Sequence, residues 1–285
     1  MFGEIFNSDK CIHIKPINRN DEEARKVSEK IGVSIYDAKD QFKWHEVNGK
    51  YYHFKFSNRL IRILNELIGP KLALQFDLKT VSNIPAIMDY GDNLKFYGIL
   101  SENFKDKDKQ YLSMGELGFK SKRGIDNKWK NIPKLKRYCN KEDYDDLINS
   151  IFKMTCLDYI MGQADRVSSN FLFEQDGSKM SFAPLFDYAE AYESIKEGCV
   201  YDRYHNPSLP FSVGNAFMTL SFWETKFKWF LWKYPNFEKY LEIACDIDII
   251  KILEEIEEEH SLHISDDCKK YYDVRTKEKQ KVLFY

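Results

Sequence analysis

The spacing of apolar residues changes period partway along the chain, and that change limits the architectures open to it. From Gly32 to about residue 103, apolar and aromatic residues come in short runs bounded by turn residues, a pattern that predicts strands. "FKWHEV" and "KYYHFKFS" flank "NGK", and Asn-Gly between two aromatic-rich runs predicts a tight hairpin. "IPAIMDY" and "LKFYGIL" predict two more strands, joined by the turn "GDN". Between these pairs, "RLIRILNELIGPKLALQFDL" places Leu60, Ile63, Leu64, Leu67 and Ile68 at helical spacing. Gly69-Pro70 is expected to break or end that helix.

Beyond this region "SENFKDKDKQYLSMGELGFKSKRG" is polar and turn-rich and reads as a linker or surface loop. The period then becomes helical. "KEDYDDLINSIFKMTCLDYIMG" aligns Tyr144, Leu147, Ile148, Ile151, Phe152, Thr155 and Tyr159 on one stripe. Helical patterns return in "TLSFWETKFKWFLWKY", in "DIDIIKILEEIEEEH" and near the C-terminus. The first thirty residues read as irregular apart from a helix in "NDEEARKVSEK", capped by Asn20 or Asp21. The expected fold class is α+β and two-lobed. A small, mostly antiparallel sheet with one helix (residues 1–104) precedes a larger, mostly helical lobe (residues 105–285). Ligands often bind in the cleft between two such lobes.

Composition narrows the function classes. The net charge of −2 carries no basic field for nucleic acid or a membrane surface. Acidic residues interrupt the basic clusters "FKDKDKQ" and "KLKRYCNKED". No apolar run reaches the ~18–20 residues of a membrane span. "MFGEIFNSDKCIHIKPINRNDEEARK" turns polar too early for a secretory signal. The six cysteines (Cys11, Cys139, Cys156, Cys199, Cys245 and Cys268) lie far apart and form no CxxC pair, so they give no zinc pattern. Reduced thiols in a cytoplasm are the default reading; export without an N-terminal signal, or delivery into another cell, leaves no mark in such a sequence. Trp223, Trp229 and Trp232 sit among lysines but read as a core stripe rather than a base-stacking surface. His260 and His263 fall at i, i+3 on the predicted helix, with no third metal ligand in view.

One stretch carries chemistry. "MGQADRVSSNFLF" sets Asp165 and Asn170 five positions apart between apolar runs. The catalytic loop of protein kinases uses this Asp-x-x-x-x-Asn spacing: the Asp accepts the hydroxyl proton and the Asn coordinates metal. A further carboxylate must face the same metal. "NFLFEQDGSKMSFAPLFDY" predicts a hairpin turning at Asp176-Gly177, which folds Asp187 back beside Asn170.

The order Gly162-x-x-Asp165-Arg166-x-x-x-Asn170, a strand pair and then "APLFDY" resembles the HipA-like kinases. These are serine/threonine kinases best known as bacterial toxins, whose motif runs close to Gly-Asn-x-Asp-Arg-His-x-x-Asn. "YHFKFSN" looks like the family's strand lysine, "LNELIGPKLALQF" like its glutamate-bearing helix, and "YGILSENF" like the strand entering its interlobe linker. The likeness spans residues 28–190, in the minimal form without the family's additional N-terminal subdomain.

The resemblance implies an ATP- and Mg2+-dependent kinase acting on a serine or threonine of a protein substrate. Asp165 is then the catalytic base, and Asn170 and Asp187 are the magnesium ligands. Lys55 holds the nucleotide phosphates and Glu66 pairs with it. Arg166 braces the loop. Gly98 to Phe104 offers backbone groups to the adenine, with Glu102 inside that stretch. The phosphate-covering loop corresponds to "SEKIGVSIYDAKDQ", where Gly32, Ser34 and Lys39 face the phosphates and Ser28 or Ser34 is the autophosphorylation candidate. Tyr201 and Arg203 fall where kinases place substrate-binding segments. The resemblance also leaves room for an antitoxin partner. Two positions depart from the pattern: Val167 stands where the family has His, and Gln163 where it has Asn. A lipid or small-molecule kinase shares the Asp-Arg loop, and a nucleotide-binding pseudokinase accommodates the glycine-poor loop, so both stay open as alternatives.

Overall fold

The computed structural model describes residues 6, 10–16, 22, 44–57, 59–91, 94–113, 115–117, 133–163, 166, 170–192 and 235–283. Ser28, Gly32, Ser34, Lys39, Asp165, Val167, Tyr201, Arg203 and the three tryptophans lie outside the described residues, as does most of the predicted helix near residue 25.

The Asn-Gly hairpin forms as the sequence predicts. Strands β2 (Trp44–Val47) and β3 (Lys50–Phe56) pair antiparallel. Asn48 and Gly49 both take left-handed backbone, with φ 52° and 78°, as a two-residue turn of this type requires. Strands β4 (Asn83–Asp89) and β5 (Lys95–Glu102) pair antiparallel, and the sheet order is β1-β4-β5-β3-β2. Strand β1 (Ile12–Ile14) corrects the irregular reading of the N-terminal stretch: it joins β4 in parallel, with Ile12 opposite Ala86. Three residues whose partner is so distant in sequence leave no local pattern to read.

Helix α1 (Leu60–Gln75) runs straight through Gly69-Pro70, against the expected break. Proline removes the N–H that would serve the carbonyl four residues back, which is that of Glu66. Asn83 on β4 donates its side-chain amide to that carbonyl instead. Gly69 is needed for space: a Cβ there would lie 2.1 Å from the Tyr188 ring. The pair that reads as a helix breaker is a notch in a continuous helix.

Three short strands form a second sheet in the order β6-β7-β8: β6 (Gln110–Leu112), β7 (Phe173–Asp176) and β8 (Lys179–Phe182). The stretch read as a linker thus contributes a strand, held to β7 by Lys109 Nζ to Glu174 Oε1 at 2.9 Å. Helix α2 (Lys141–Met161) starts at an Asn140 cap that accepts from Asp143 N, and ends at Gly162 with φ 60°. Its predicted stripe is buried from Tyr144 to Tyr159, and its last turns are buried all round. Helices α3 (Glu238–Cys245), α4 (Ile249–His260) and α5 (Asp266–Leu283) complete the described C-lobe. Helix α4 ends at His260, capped by left-handed Ser261, so His263 does not share its face. Among the described residues no helix is long and apolar enough to cross a membrane.

One apolar core runs through both lobes. It takes in Ile63, Leu64, Leu67, Ile68 and Leu72 of α1, Ile87 and Ile99 of the sheet, and Ile151, Phe152 and Leu157 of α2. Burying each such side chain is worth about 1.5–3 kcal/mol, so α1 is fixed to both lobes at once. A smaller cluster, with Tyr52, Phe54 and Leu100, covers the other face of the sheet.

Candidate active site

Alternation along β3 sends Tyr52 and Phe54 to the smaller cluster and therefore Lys55 to the face that packs on α1. There its Nζ lies 2.7 Å from Glu66 Oε1 and 3.5 Å from Asp187 Oδ1. Glu66 is buried, Lys55 is 26 % exposed and Asp187 is 37 % exposed, so the group opens toward solvent on the Asp187 side. Burial pulls the Lys55 ammonium down, and the Glu66 and Asp187 carboxylates overcome it, for a net rise. Asn83 Nδ2 lies 3.4 Å from Glu66 Oε2 as well as donating to its backbone. On the adjacent strand, a Cβ at Gly98 would sit 2.2 Å from Lys55 O, so no side chain fits beside the lysine. Glu102, at the end of β5, meets Lys50 Nζ at 2.8 Å.

Asp187 lies past the end of β8 in an irregular segment, with φ 62°. The segment is tied to the chain leaving α1: Val81 N donates to Leu185 O at 3.0 Å, and Leu185 N to Lys79 O at 2.8 Å. Arg166 holds the rest. Its side chain is fully buried. Its Nη1 donates to Asn170 O at 2.9 Å and to Phe186 O at 2.6 Å, which brings the chain at residue 170 beside the chain at residue 186. Its Nε faces Asp158 Oδ1 at 3.2 Å. Burial works against the guanidinium's charge, and the Asp158 carboxylate more than restores it. Gln163 Nε2 donates to Asp187 O at 2.9 Å.

Tyr188 anchors the next position. Its ring fills the Gly69 notch, lies 5.2 Å from the Arg166 guanidinium carbon, and carries its hydroxyl to Thr80 Oγ1 at 2.9 Å. Thr80 gives its own proton to Leu185 O at 3.1 Å, so Tyr188 is the donor of the pair. Burial pushes the Tyr188 phenol well up, which keeps that donor in place.

The structure therefore brings together Lys55, Glu66 and Asp187, and joins Asn170 to them through Arg166. Glu102 stands apart with Lys50. Sequence reasoning missed Asp158 and Asn83. Asp158 had a signal, since a carboxylate inside "CLDYIM" is buried only when paired. Asn83 had none, because its partner is a carbonyl freed by a proline on another element. In chemical terms the site offers one ammonium and, from Asp187, hard oxygen donors of the kind magnesium takes while keeping most of its waters. The half-exposed Asp187 carboxylate fits that role. A cavity of about 600 Å³ opens elsewhere, between Leu74 at the end of α1, Leu78 beyond it, Leu147 and Lys153 of α2, and Met180 of β8; it shares none of the four residues.

No family model matches the chain, and no curated protein matches it. Solved structures do. The chain is similar to the crystal structure of the Helicobacter pylori proinflammatory kinase CtkA, with a TM-score of 0.53 at 13 % identity over 84 % of this chain and 87 % of that one. It also matches HipA in a Shewanella oneidensis toxin–antitoxin complex of HipA, HipB and operator DNA, with a TM-score of 0.48 at 15 % identity over 94 % of this chain and 71 % of that one. A curled mixed sheet against five described helices, matched over most of this chain and most of CtkA, gives this protein the α+β, two-lobed fold that it shares with that kinase structure.

Proposed function

We propose that the chain is an ATP- and magnesium-dependent kinase that phosphorylates serine or threonine of a protein, and that its site is the Lys55–Glu66–Asp187 group. One observation carries the reading: a strand ammonium meets a buried helix carboxylate at 2.7 Å and a half-exposed carboxylate from the other lobe at 3.5 Å. Phosphoryl transfer needs positioning and charge neutralisation more than covalent chemistry. In this reading Lys55 holds the nucleotide phosphates and Glu66 fixes the lysine in place. Asn170 and Asp187 hold magnesium, which supplies neutralisation of the developing phosphate charge when bound. Asp165 orients the attacking hydroxyl. The backbone from Gly98 to Phe104 receives the adenine. Ser28 or Ser34 is the autophosphorylation candidate, and the reading leaves room for an antitoxin partner.

The test is transfer from radiolabelled ATP with magnesium, to the protein itself and to a generic acceptor. Label in the wild type, reduced about 10²-fold or more in Lys55→Met, Asp165→Gln and Asp187→Gln, supports the reading. Phosphosite mapping that finds neither Ser28 nor Ser34 modified removes the autophosphorylation part alone. Nucleotide binding without label on any protein moves the assignment to a pseudokinase or to a lipid or small-molecule acceptor.

A further inference from the structure

We infer that Asn65 and Tyr272 form a positioning device that locks helix α1, and Glu66 with it, to the backbone that follows Asp187; its catalytic meaning rests on the proposed function. Asn65 immediately precedes Glu66 and is fully buried. While Glu66 turns to Lys55, Asn65 turns to the C-lobe. Its Nδ2 donates to Ala189 O at 3.1 Å and to Ala191 O. Its Oδ1 accepts from the Tyr272 hydroxyl of α5 at 3.0 Å. Carbonyls only accept, so the amide nitrogen must face them and the amide oxygen is left to accept from the phenol; both amide hydrogens are spent.

Tyr272 is fully buried, and its hydroxyl also lies 3.4 Å from Ile61 O, one turn back on α1. The segment past Ala191 is pinned from the same side. Tyr271 donates to Tyr192 O at 2.7 Å, Tyr192 N donates to Met161 O at 2.6 Å, and the Tyr192 hydroxyl lies 3.2 Å from Thr276 Oγ1. Thus α1, the stretch after Asp187 and the C-terminal helix share one buried hydrogen-bond network. A shift of α1 that parts Glu66 from Lys55 also strips the Ala189 and Ala191 carbonyls of their donor. The two carboxylates reach Lys55 together or not at all, and α5, remote from the chemistry, is one of the parts that hold them there. Asn65 and Tyr272 are positioning residues, since they act through Glu66 and Asp187.

The test compares Asn65→Asp, which keeps the shape but turns an oxygen toward the two carbonyls, with Tyr272→Phe, which keeps the ring and loses the hydroxyl. Tyr138→Phe, whose hydroxyl donates to Leu117 O at 2.7 Å, is the control. Amide hydrogen exchange is followed in residues 60–68 and 187–192, and kcat and KM for MgATP are measured per folded molecule. Both variants are expected to speed exchange in the two segments together. Asn65→Asp is expected to lower kcat/KM about 10–100-fold with a raised KM, Tyr272→Phe to do the same to a smaller degree, and the control to do neither. Faster exchange in only one segment overturns the coupling. Lower thermal stability with unchanged kcat and KM reduces the network to packing and overturns the positioning role. A wild type that transfers no phosphate sinks the kinase reading, while the exchange experiment still decides the coupling.

Discussion

Lys55 and Asp187 meet across the cleft, yet opposite means hold them in place. Lys55 belongs to β3 and pairs with Ile99 of β5, so its Cα position is set by a backbone ladder that no neighbouring side chain controls. Asp187 sits in an irregular stretch with left-handed backbone. Its neighbourhood is set by side chains: Arg166, Gln163, Asn65 and the ring of Tyr188. Regular structure satisfies its own polar groups, whereas an irregular segment inside a protein must borrow partners. The lysine side should therefore tolerate substitution, and the aspartate side should not.

The largest contrast should come from Asp158→Ala. It leaves the fully buried Arg166 without its carboxylate and should cost about 3–5 kcal/mol in denaturant unfolding, with Arg166→Met in the same chain recovering part of it. Trp44→Ala removes a cross-strand partner of His53 on the lysine side and should cost about 0.2–1 kcal/mol; equal losses for the two variants would break the comparison. Gly69→Ala pushes a methyl into the Tyr188 ring and should cost about 3 kcal/mol. Pairing it with Tyr188→Leu should lose less than the sum of the single variants, and strict additivity would show that the notch does not couple to the ring.

The sheet side is not free of buried polar atoms without a partner. His45 on β2 is buried with Nε2 unpartnered, and burial pulls its pKa down to about 4. The unfolded chain takes up that proton near pH 6.5 and the folded chain only near pH 4. Stability should therefore be full above pH 6.5 and fall by about 2–3 kcal/mol as pH drops to 4. His45→Leu should flatten that slope in unfolding measured across the window, and an unchanged slope would remove His45 as its source. Asn83→Ala, which leaves the Glu66 carbonyl without a donor, should cost less, about 1–2 kcal/mol in denaturant unfolding.

What the sequence revealed follows the same division. Turns with positive φ carry their own residues, so Asn48-Gly49 and Gly177 marked both hairpins in advance. The helical stripe from Tyr144 to Tyr159 marked α2. The Asp165-to-Asn170 spacing and the carboxylate of "APLFDY" pointed to the site by resemblance, and Asp165 lies outside the described residues. Features that depend on distant partners were hidden. Strand β1 needed β4, strand β6 needed β7, and the unbroken helix through Pro70 needed Asn83. Arg166 was legible as a brace, and its counter-ion Asp158, eight residues earlier, was missed although an aspartate set among apolar residues signals a buried pair.

The left-handed backbone at Asp187 has a further consequence. An L-residue with a Cβ is sterically disfavoured by roughly 1 kcal/mol at such a φ, and glycine escapes that clash. Thermal tolerance and phosphoryl transfer would therefore pull position 187 in opposite directions. A library at this position sorted only for survival on heating should enrich glycine. The same library sorted for turnover, if the proposed function holds, should return aspartate alone. A stabilising campaign that leaves position 187 free would yield a sturdier protein whose Lys55 keeps Glu66 and loses the carboxylate facing it from the other lobe.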